Sequence, residues 1–168
     1  RDKKGFSVPE TRWMRDVFVS HTHEQFRSPM RSEELGLIDA TKLRASYERF
    51  LELVSHEFFH VWNVKRIRPK PLGPFDYRSE NYTRQLWTME GVTSYYEKRF
   101  MLAAGLYHKE RFLERLADEV GTLQGQPGRP LQSLQQASFD AWIRHYRPDE
   151  NSGNVSISYY LKGSLVAM

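Results

Sequence analysis

Residues 54–63 read VSHEFFHVWN and contain the pattern His-Glu-x-x-His, formed by His56, Glu57 and His60. On an α-helix, residues four positions apart lie on one face, so His56 and His60 can present two imidazoles to one metal ion. Glu57 is rotated by about 100° from His56, which places its carboxylate beside the metal rather than on it. Two nitrogen ligands, an open coordination position and an adjacent base are the groups that a zinc hydrolase requires.

The residues around this pattern favour a buried helix over an exposed histidine cluster. The segment 51–62 contains no glycine or proline and is rich in apolar residues. Apolar side chains recur at three- and four-residue steps, including Tyr47 and Phe50, and this spacing predicts one long helix over residues 40–64 with Asp39 as its cap. The alternative is a core helix whose two histidines are satisfied by hydrogen bonds and bind no metal.

The composition indicates one globular domain. The chain has 168 residues, of which 39% are hydrophobic and 14% aromatic, enough to form a real core. No apolar run approaches the roughly 18 residues of a membrane span. Because there is no cysteine, disulfides and thiolate zinc sites are excluded, and metal ligands must be His, Asp or Glu. This composition is compatible with the cytoplasm and with the periplasm, and it leaves the oligomeric state open.

The charge distribution gives little support to a nucleic-acid partner. The net charge is +4 and the pI is about 9.3. The only dense basic cluster is formed by Lys65, Arg66, Arg68 and Lys70. A solvated turn after the metal-binding helix accounts for that cluster better than a nucleic-acid site does, so no nucleic acid is expected as a partner.

A second helix is predicted over residues 82–104, with Gly105 as its C-terminal cap. It carries Glu90, an acid in an otherwise apolar turn, and a buried carboxylate needs a partner or a metal. One carboxylate added to two histidines is a known zinc ligand set. A surface acid or a member of a core ion pair is the alternative for Glu90.

Glu97, two turns further on, could orient a ligand imidazole or be an ordinary surface acid. Thr93 is a weaker candidate for the same role.

The remaining pattern predicts further helices and a short N-terminal strand region. Residues 16–20 are a predicted strand, and the alternating His21 and His23 after it are expected to be exposed rather than metal-binding. An amphipathic helix over residues 109–123 should turn Phe112, Leu113, Leu116 and Val120 inward. A fourth helix over residues 133–146 places His145 at the surface. A last helix follows an extended segment that begins at residue 155.

Four blocks of the sequence resemble the glycyl aminopeptidase family of zinc peptidases. They are VSHEFFHVWNVKRIRP at 54–69, LWTMEGVTSYY at 86–96, GRPLQSLQQASFDAW at 128–142 and YYLKG at 159–163. That family belongs with the gluzincins, so the resemblance implies a mainly α (α+β) fold of the thermolysin-like catalytic type, a helical bundle with a short N-terminal strand region. Residues 1–168 would then be one catalytic domain, a fragment without the upstream β-rich and downstream PDZ-type domains of the family.

The resemblance also implies roles for individual residues. Zinc, one ion per chain, would be bound by His56, His60 and Glu90, with Glu57 as the catalytic base. An acid in the place of Glu97 supports the site in the larger gluzincin aminopeptidases.

Two further positions follow from the same resemblance. Tyr160 matches the tyrosine that stabilises the transition state in those aminopeptidases, because a phenol can donate a hydrogen bond to an oxyanion. Tyr159 is the neighbouring alternative, and either residue could instead be a core tyrosine.

The sequence departs from the family at residues 21–25, HTHEQ, where members carry Gly-Gly-Leu-Glu-His. Only Glu24 of that motif is retained, and its carboxylate would anchor the free amine of a substrate.

The sequence therefore predicts zinc-dependent hydrolysis of peptide bonds, in which metal-activated water attacks and small N-terminal residues such as glycine are released from peptide substrates. A non-catalytic peptide-binding or scaffold module that keeps the peptidase fold is the alternative. The presence of Glu57 argues against that alternative, since a scaffold has no need of the base.

Overall fold

The computed structural model describes residues 40–168, and every regular element in that range is helical. The mainly α class predicted from the sequence is confirmed for these residues, while the strand predicted at residues 16–20 and the cap at Asp39 lie outside them. The α-helices are α1 (Ala40–Phe59), α2 (Val92–Ala103), α3 (Lys109–Gln124), α4 (Leu134–Phe139), α5 (Ser152–Val155) and α6 (Tyr159–Ala167). A 3-10 turn spans Lys70–Leu72, and two π-turns span Trp87–Gly91 and Ala141–His145.

Helix α1 ends at Phe59, five residues before the predicted end at residue 64. Beyond it the backbone widens into turns, in which the N–H of Lys65 donates to the carbonyl of His60 at 3.1 Å. The N–H of His60 still donates to the carbonyl of His56 at 3.3 Å. The one-turn relation between the two histidines is therefore kept at the very end of the helix.

The inward face of α1 is largely polar. Leu51 is buried with Met101, but Tyr47 and Phe50, which belong to the apolar pattern of the sequence, are 37% and 41% exposed. The buried surface of the helix is narrower than the apolar stripe in its sequence, because α2 covers the face that carries Leu51 and His56.

The second helical segment begins with a π-turn rather than at residue 82. The hydroxyl of Thr83 accepts from the N–H of Gln85 at 3.2 Å, a local side-chain bond that competes with helix formation. The segment ends as predicted, since Gly105 has a φ of 73° and the N–H of Leu106 donates to the carbonyl of Met101 at 2.9 Å. This is the Schellman arrangement, in which glycine takes the left-handed conformation after the helix.

The first π-turn packs directly on α6. A Cβ atom added to Gly91 would lie 2.6 Å from the Cα of Gly163, so the two backbones can approach this closely only with glycine at the crossing. The crossing places the π-turn, which carries Glu90, beside the start of α6, which carries Tyr159 and Tyr160.

The remaining helices follow the predicted order with three corrections. In α3, Phe112 is buried but Leu113 is 62% exposed, so the prediction that Leu113 faces inward was wrong. The predicted helix at residues 133–146 is divided at Asp140 into α4 and the second π-turn. It begins with a capping box between Ser133 and Gln136. The final helix, α6, follows extended residues as predicted, but Val155 ends the short helix α5, which was not predicted, so the extended segment begins at Ser156.

No helix within residues 40–168 has both the length and the apolar character that crossing a lipid bilayer requires.

Candidate metal centre

Two imidazoles and one carboxylate meet at a single point between α1 and the first π-turn. The Nε2 atoms of His56 and His60 lie 3.1 Å and 3.3 Å from the same oxygen, Oε2 of Glu90. The two imidazole centroids are 4.7 Å apart, and the ring planes are nearly perpendicular. The side chains of this group are 10–21% exposed, so the cluster lies just below the surface and remains accessible.

The other nitrogen of each imidazole is occupied by a partner that fixes the ring. The Nδ1 of His56 lies 2.7 Å from Oε2 of Glu97, and the Nδ1 of His60 lies 3.0 Å from the backbone carbonyl of Asn63. Acceptors at Nδ1 favour the tautomer whose Nε2 lone pair is free. Metal-binding histidines in proteins are oriented in this way.

The distances fit a tetrahedral zinc ion. Zinc bonds of about 2.0–2.2 Å in a tetrahedral arrangement separate ligand atoms by about 3.3–3.5 Å. The two nitrogen–oxygen separations at Glu90, 3.1 Å and 3.3 Å, are close to that value. Two histidines with one carboxylate also form a recognised zinc ligand set, and the chain has no cysteine to offer another.

Glu57 is a geometric competitor for the third ligand. Ligand-type atoms of His56, Glu57 and His60 all lie within 4.8 Å of one another. Glu57 is exposed, however, while the Glu90 carboxylate already contacts both imidazoles. The structure therefore brings all four predicted residues together and leaves the Glu57 carboxylate open to solvent beside the cluster.

The electrostatics of the cluster are those of a carboxylate neutralised by imidazolium. Burial opposes the charge on His56, but hydrogen bonds to Glu90 and Glu97 raise its pKa to about 9. The hydrogen bond to Glu90 also raises the pKa of His60. Burial opposes the charge on Glu90 as well, and contact with the two histidines lowers its pKa to about 2. A bound cation would take the place of the protons on the two imidazoles.

These shifts predict that the metal-free protein loses stability as the pH rises from 6.5 to 9. The pKa of His56 is raised from 6.5 to about 9. The stabilisation that protonated His56 gives the folded state is therefore complete below pH 6.5 and is lost as the pH passes 9. The free energy of unfolding is expected to fall by roughly 3 kcal/mol across this range. Glu90, lowered to about 2, stays ionised across this window and adds no slope.

Urea unfolding of chelator-treated protein across that pH range measures the effect. His56→Asn, which has no titrating ring, should show a much flatter profile. A free energy of unfolding that rises with pH in the wild type would contradict the expectation.

Two tyrosines and a histidine form the wall beside the cluster. The ring of Tyr160 is stacked toward that of His56, with centroids 6.1 Å apart. Tyr159 is buried, and its hydroxyl lies 3.4 Å from that of Tyr146. Burial, followed by a hydrogen bond to Tyr146 and the charge of Glu90, raises the pKa of Tyr160 well above its usual value. The phenol keeps its proton at neutral pH, as an unperturbed tyrosine also does, and is able to donate it in a hydrogen bond.

His145 was wrongly predicted to lie at the surface. Its half-buried ring packs 5.0 Å from that of Tyr159 and 6.1 Å from that of Tyr160, measured between centroids. Burial lowers the pKa of His145. A neutral imidazole thus supports the tyrosine pair.

Asn63 was not singled out from the sequence, although it joins the two elements that supply the cluster. Its buried amide donates to the carbonyls of Thr88 and Met89, at 2.9 Å and 3.0 Å, and to the hydroxyl of Thr93 at 3.0 Å. The Thr93 hydroxyl in turn donates to the carbonyl of Met89. The Thr93 hydroxyl therefore contacts the Asn63 amide and the backbone of the Glu90 turn rather than an imidazole.

The candidate amine anchor Glu24, together with His21 and His23, lies outside the described residues. Its position relative to the cluster stays a prediction.

The comparisons with known proteins identify the family. Residues 49–166 of the chain match the M61 glycyl aminopeptidase family of peptidases. The match covers more than half of the 168 residues, and the chain belongs to this family. The resemblance seen in its sequence is thereby confirmed.

A solved structure agrees with this assignment. The crystal structure of an aminopeptidase N family protein from Idiomarina loihiensis is similar to the chain, with 39% sequence identity and a TM-score of 0.68. The similarity covers 71% of this chain and 20% of that protein, so the chain spans about a fifth of that relative's length. No curated protein matches the chain.

Proposed function

We propose that the chain is the catalytic part of a zinc-dependent aminopeptidase with a thermolysin-like fold. The observation that carries the proposal is the convergence of the two Nε2 atoms of His56 and His60 on one oxygen of Glu90 at 3.1 Å and 3.3 Å. Membership of the M61 glycyl aminopeptidase family supports the same reaction.

His56, His60 and Glu90 are the proposed ligands of one zinc ion. Glu97 and the carbonyl of Asn63 orient the two imidazoles through their Nδ1 atoms. The Asn63 amide holds the turn that presents Glu90. His56 and the Glu90 turn are thus supported by partners distant in sequence, and His60 by a residue three positions further on. This support limits the rearrangement that metal binding requires.

The chemistry divides between the ion and the side chains. When bound, zinc polarises a peptide carbonyl and lowers the pKa of a bound water toward about 7. The exposed carboxylate of Glu57, next to His56, takes the proton from the attacking water and passes it to the leaving amine. The Tyr160 phenol, held protonated by its surroundings, donates to the oxyanion that forms on the substrate.

The proposed substrates are peptides with a small N-terminal residue such as glycine. The family match supports this preference. A carboxylate that pairs with the free amine would restrict cleavage to the N-terminal end of the peptide, and Glu24 is the proposed group. Such a contact selects for the end of a peptide, because an internal residue has no amine to offer.

Two measurements on the chain test the proposal. The first is zinc content by elemental analysis after metal-replete purification, and the second is hydrolysis of a glycyl chromogenic amide. About one zinc per chain together with turnover is the expected result. A chain that carries no zinc under these conditions would favour the scaffold alternative.

Loss of the Tyr160 hydroxyl should reduce the chemical step. We expect Tyr160→Phe to lower kcat by about 100- to 1000-fold, because one donor to the oxyanion is removed. Zinc content and KM should change little, since the phenol contacts neither the ligand atoms nor the substrate amine in this proposal. The matched control is Tyr159→Phe, which removes the neighbouring hydroxyl. Equal losses in the two variants would show that the effect arises from packing of the tyrosine pair.

A further inference from the structure

Lys98 has a fully buried ammonium close to the candidate metal centre. The residue lies in α2, directly after Glu97, and is 1% exposed. Its Nζ donates to the backbone carbonyl of Ser94, lies 3.3 Å from Oε1 of Glu97 and lies 2.8 Å from Oε1 of Glu119. An ammonium has three N–H donors, so these three contacts satisfy it completely.

Glu97 links this ammonium to the candidate metal centre. Its Oε1 faces Lys98, while its Oε2 lies 2.7 Å from the Nδ1 of His56. Each carboxylate oxygen therefore has its own partner, and the plane of the carboxylate is fixed by two contacts at different positions. Without the ammonium, the carboxylate could rotate about its terminal bond and the direction of its contact with His56 would no longer be set.

The arrangement is not one that fold stability alone favours. An ammonium and two carboxylates lose hydration when they are buried, and well-packed apolar residues of similar size often give equal or greater stability. The 1% exposure of Lys98 makes that cost large, yet the ammonium lies beside Glu97, the carboxylate that contacts the candidate ligand His56.

We propose that Lys98 is a positioning residue of the metal centre, which acts through Glu97 to hold the imidazole of His56 in its metal-binding orientation. The inference rests on the proposed zinc site. Lys98 touches none of the proposed ligand atoms, so it would influence zinc affinity only through Glu97.

A purely structural role is the competing explanation. Glu119 lies on α3 and accepts from the Ser164 hydroxyl on α6 at 3.1 Å, so the Lys98–Glu119 pair also ties three helices together. A useful experiment must separate loss of stability from loss of orientation at His56.

A second ion pair that involves α3 offers a matched control. Arg115 on α3 pairs with the buried Glu52 on α1, with Nη2 and Oε2 2.9 Å apart. Glu52 is one turn before His56, but its recorded partners are Arg115 and Tyr107. Arg115→Met therefore breaks a comparable α1–α3 ion pair without touching Glu97.

The experiment measures zinc affinity by competition with a chelator, on folded protein, for Lys98→Met, Glu119→Gln and Arg115→Met. A double variant, Lys98→Met with Glu119→Gln, removes the ammonium together with one carboxylate and keeps the buried charge balanced if the single variant folds poorly. Cobalt substitution adds a spectroscopic readout, since its visible absorption changes when a ligand ring reorients.

We expect the two variants that lack Lys98 to bind zinc roughly 10- to 100-fold more weakly, the usual effect of removing an outer partner of a metal ligand. Their cobalt spectra should change, while Glu119→Gln and Arg115→Met stay within about threefold of the wild type. Wild-type affinity without Lys98, or equal losses in all variants, would overturn the inference while leaving the zinc site in place. A wild type that binds no zinc would instead overturn the proposed function, and the inference with it.

Discussion

Glu90→Ala is expected to purify with little zinc, under conditions in which the wild type carries about one ion per chain. Oε2 of Glu90 lies 3.1 Å from the Nε2 of His56 and 3.3 Å from the Nε2 of His60. Removing an outer partner of a ligand costs 10- to 100-fold in metal affinity, so loss of a direct ligand should cost at least about 100-fold. Peptidase activity should fall in parallel.

The fold should tolerate this change. The Glu90 side chain is 21% exposed and its partners are the two histidines, so its loss leaves imidazoles that solvent can reach. Far-UV circular dichroism is expected to match that of the wild type. The control is Glu150→Ala, which removes an exposed acid far along the chain and should leave the zinc content unchanged. Full zinc occupancy in Glu90→Ala would remove Glu90 from the ligand set.

The parts of the site that depend on local geometry could be predicted from the sequence. The relation between His56 and His60 follows from the pitch of one helix, which holds up to the last hydrogen bond of α1. An acid in an apolar turn of the next helical segment was enough to single out Glu90, because a buried carboxylate needs a partner.

Contacts that depend on how distant segments pack could not be predicted. The amide of Asn63 meets the Glu90 turn 25 and 26 residues further along, and nothing in its local sequence indicates those partners. His145 was assigned to the surface because its own helix gave no reason to bury it, whereas α6 supplies the tyrosines that cover it.

The π-turn at Glu90 is another feature that could not be predicted from the sequence. Residues 82–104 have the composition of one continuous helix, and no residue in that segment demands a wider turn. The Thr83 side chain delays the start of the helix, and the contact between Gly91 and Gly163 fixes where the turn lies. π-Turns of this kind are frequent at functional sites, where they change the direction of one side chain relative to a regular helix.

Glu57→Gln is expected to slow turnover by about 100- to 10,000-fold while zinc stays bound. Glutamine has the shape of glutamate but cannot accept a proton from water, and general-base catalysis contributes about 100- to 10,000-fold to a rate. We therefore expect kcat on a glycyl chromogenic amide to fall by about that factor. Because Glu57 is exposed, thermal unfolding of the variant should resemble that of the wild type.

The zinc content of Glu57→Gln also decides whether Glu57 or Glu90 is the third ligand of the metal. Ligand-type atoms of Glu57 lie within 4.8 Å of those of His56 and His60, so geometry alone admits Glu57 as a ligand. If Glu90 is the third ligand and Glu57 the base, Glu57→Gln retains zinc without activity and Glu90→Ala loses both. The reverse pattern of zinc retention would exchange the two roles. Substantial activity in Glu57→Gln would mean that the proton from water is taken by another group.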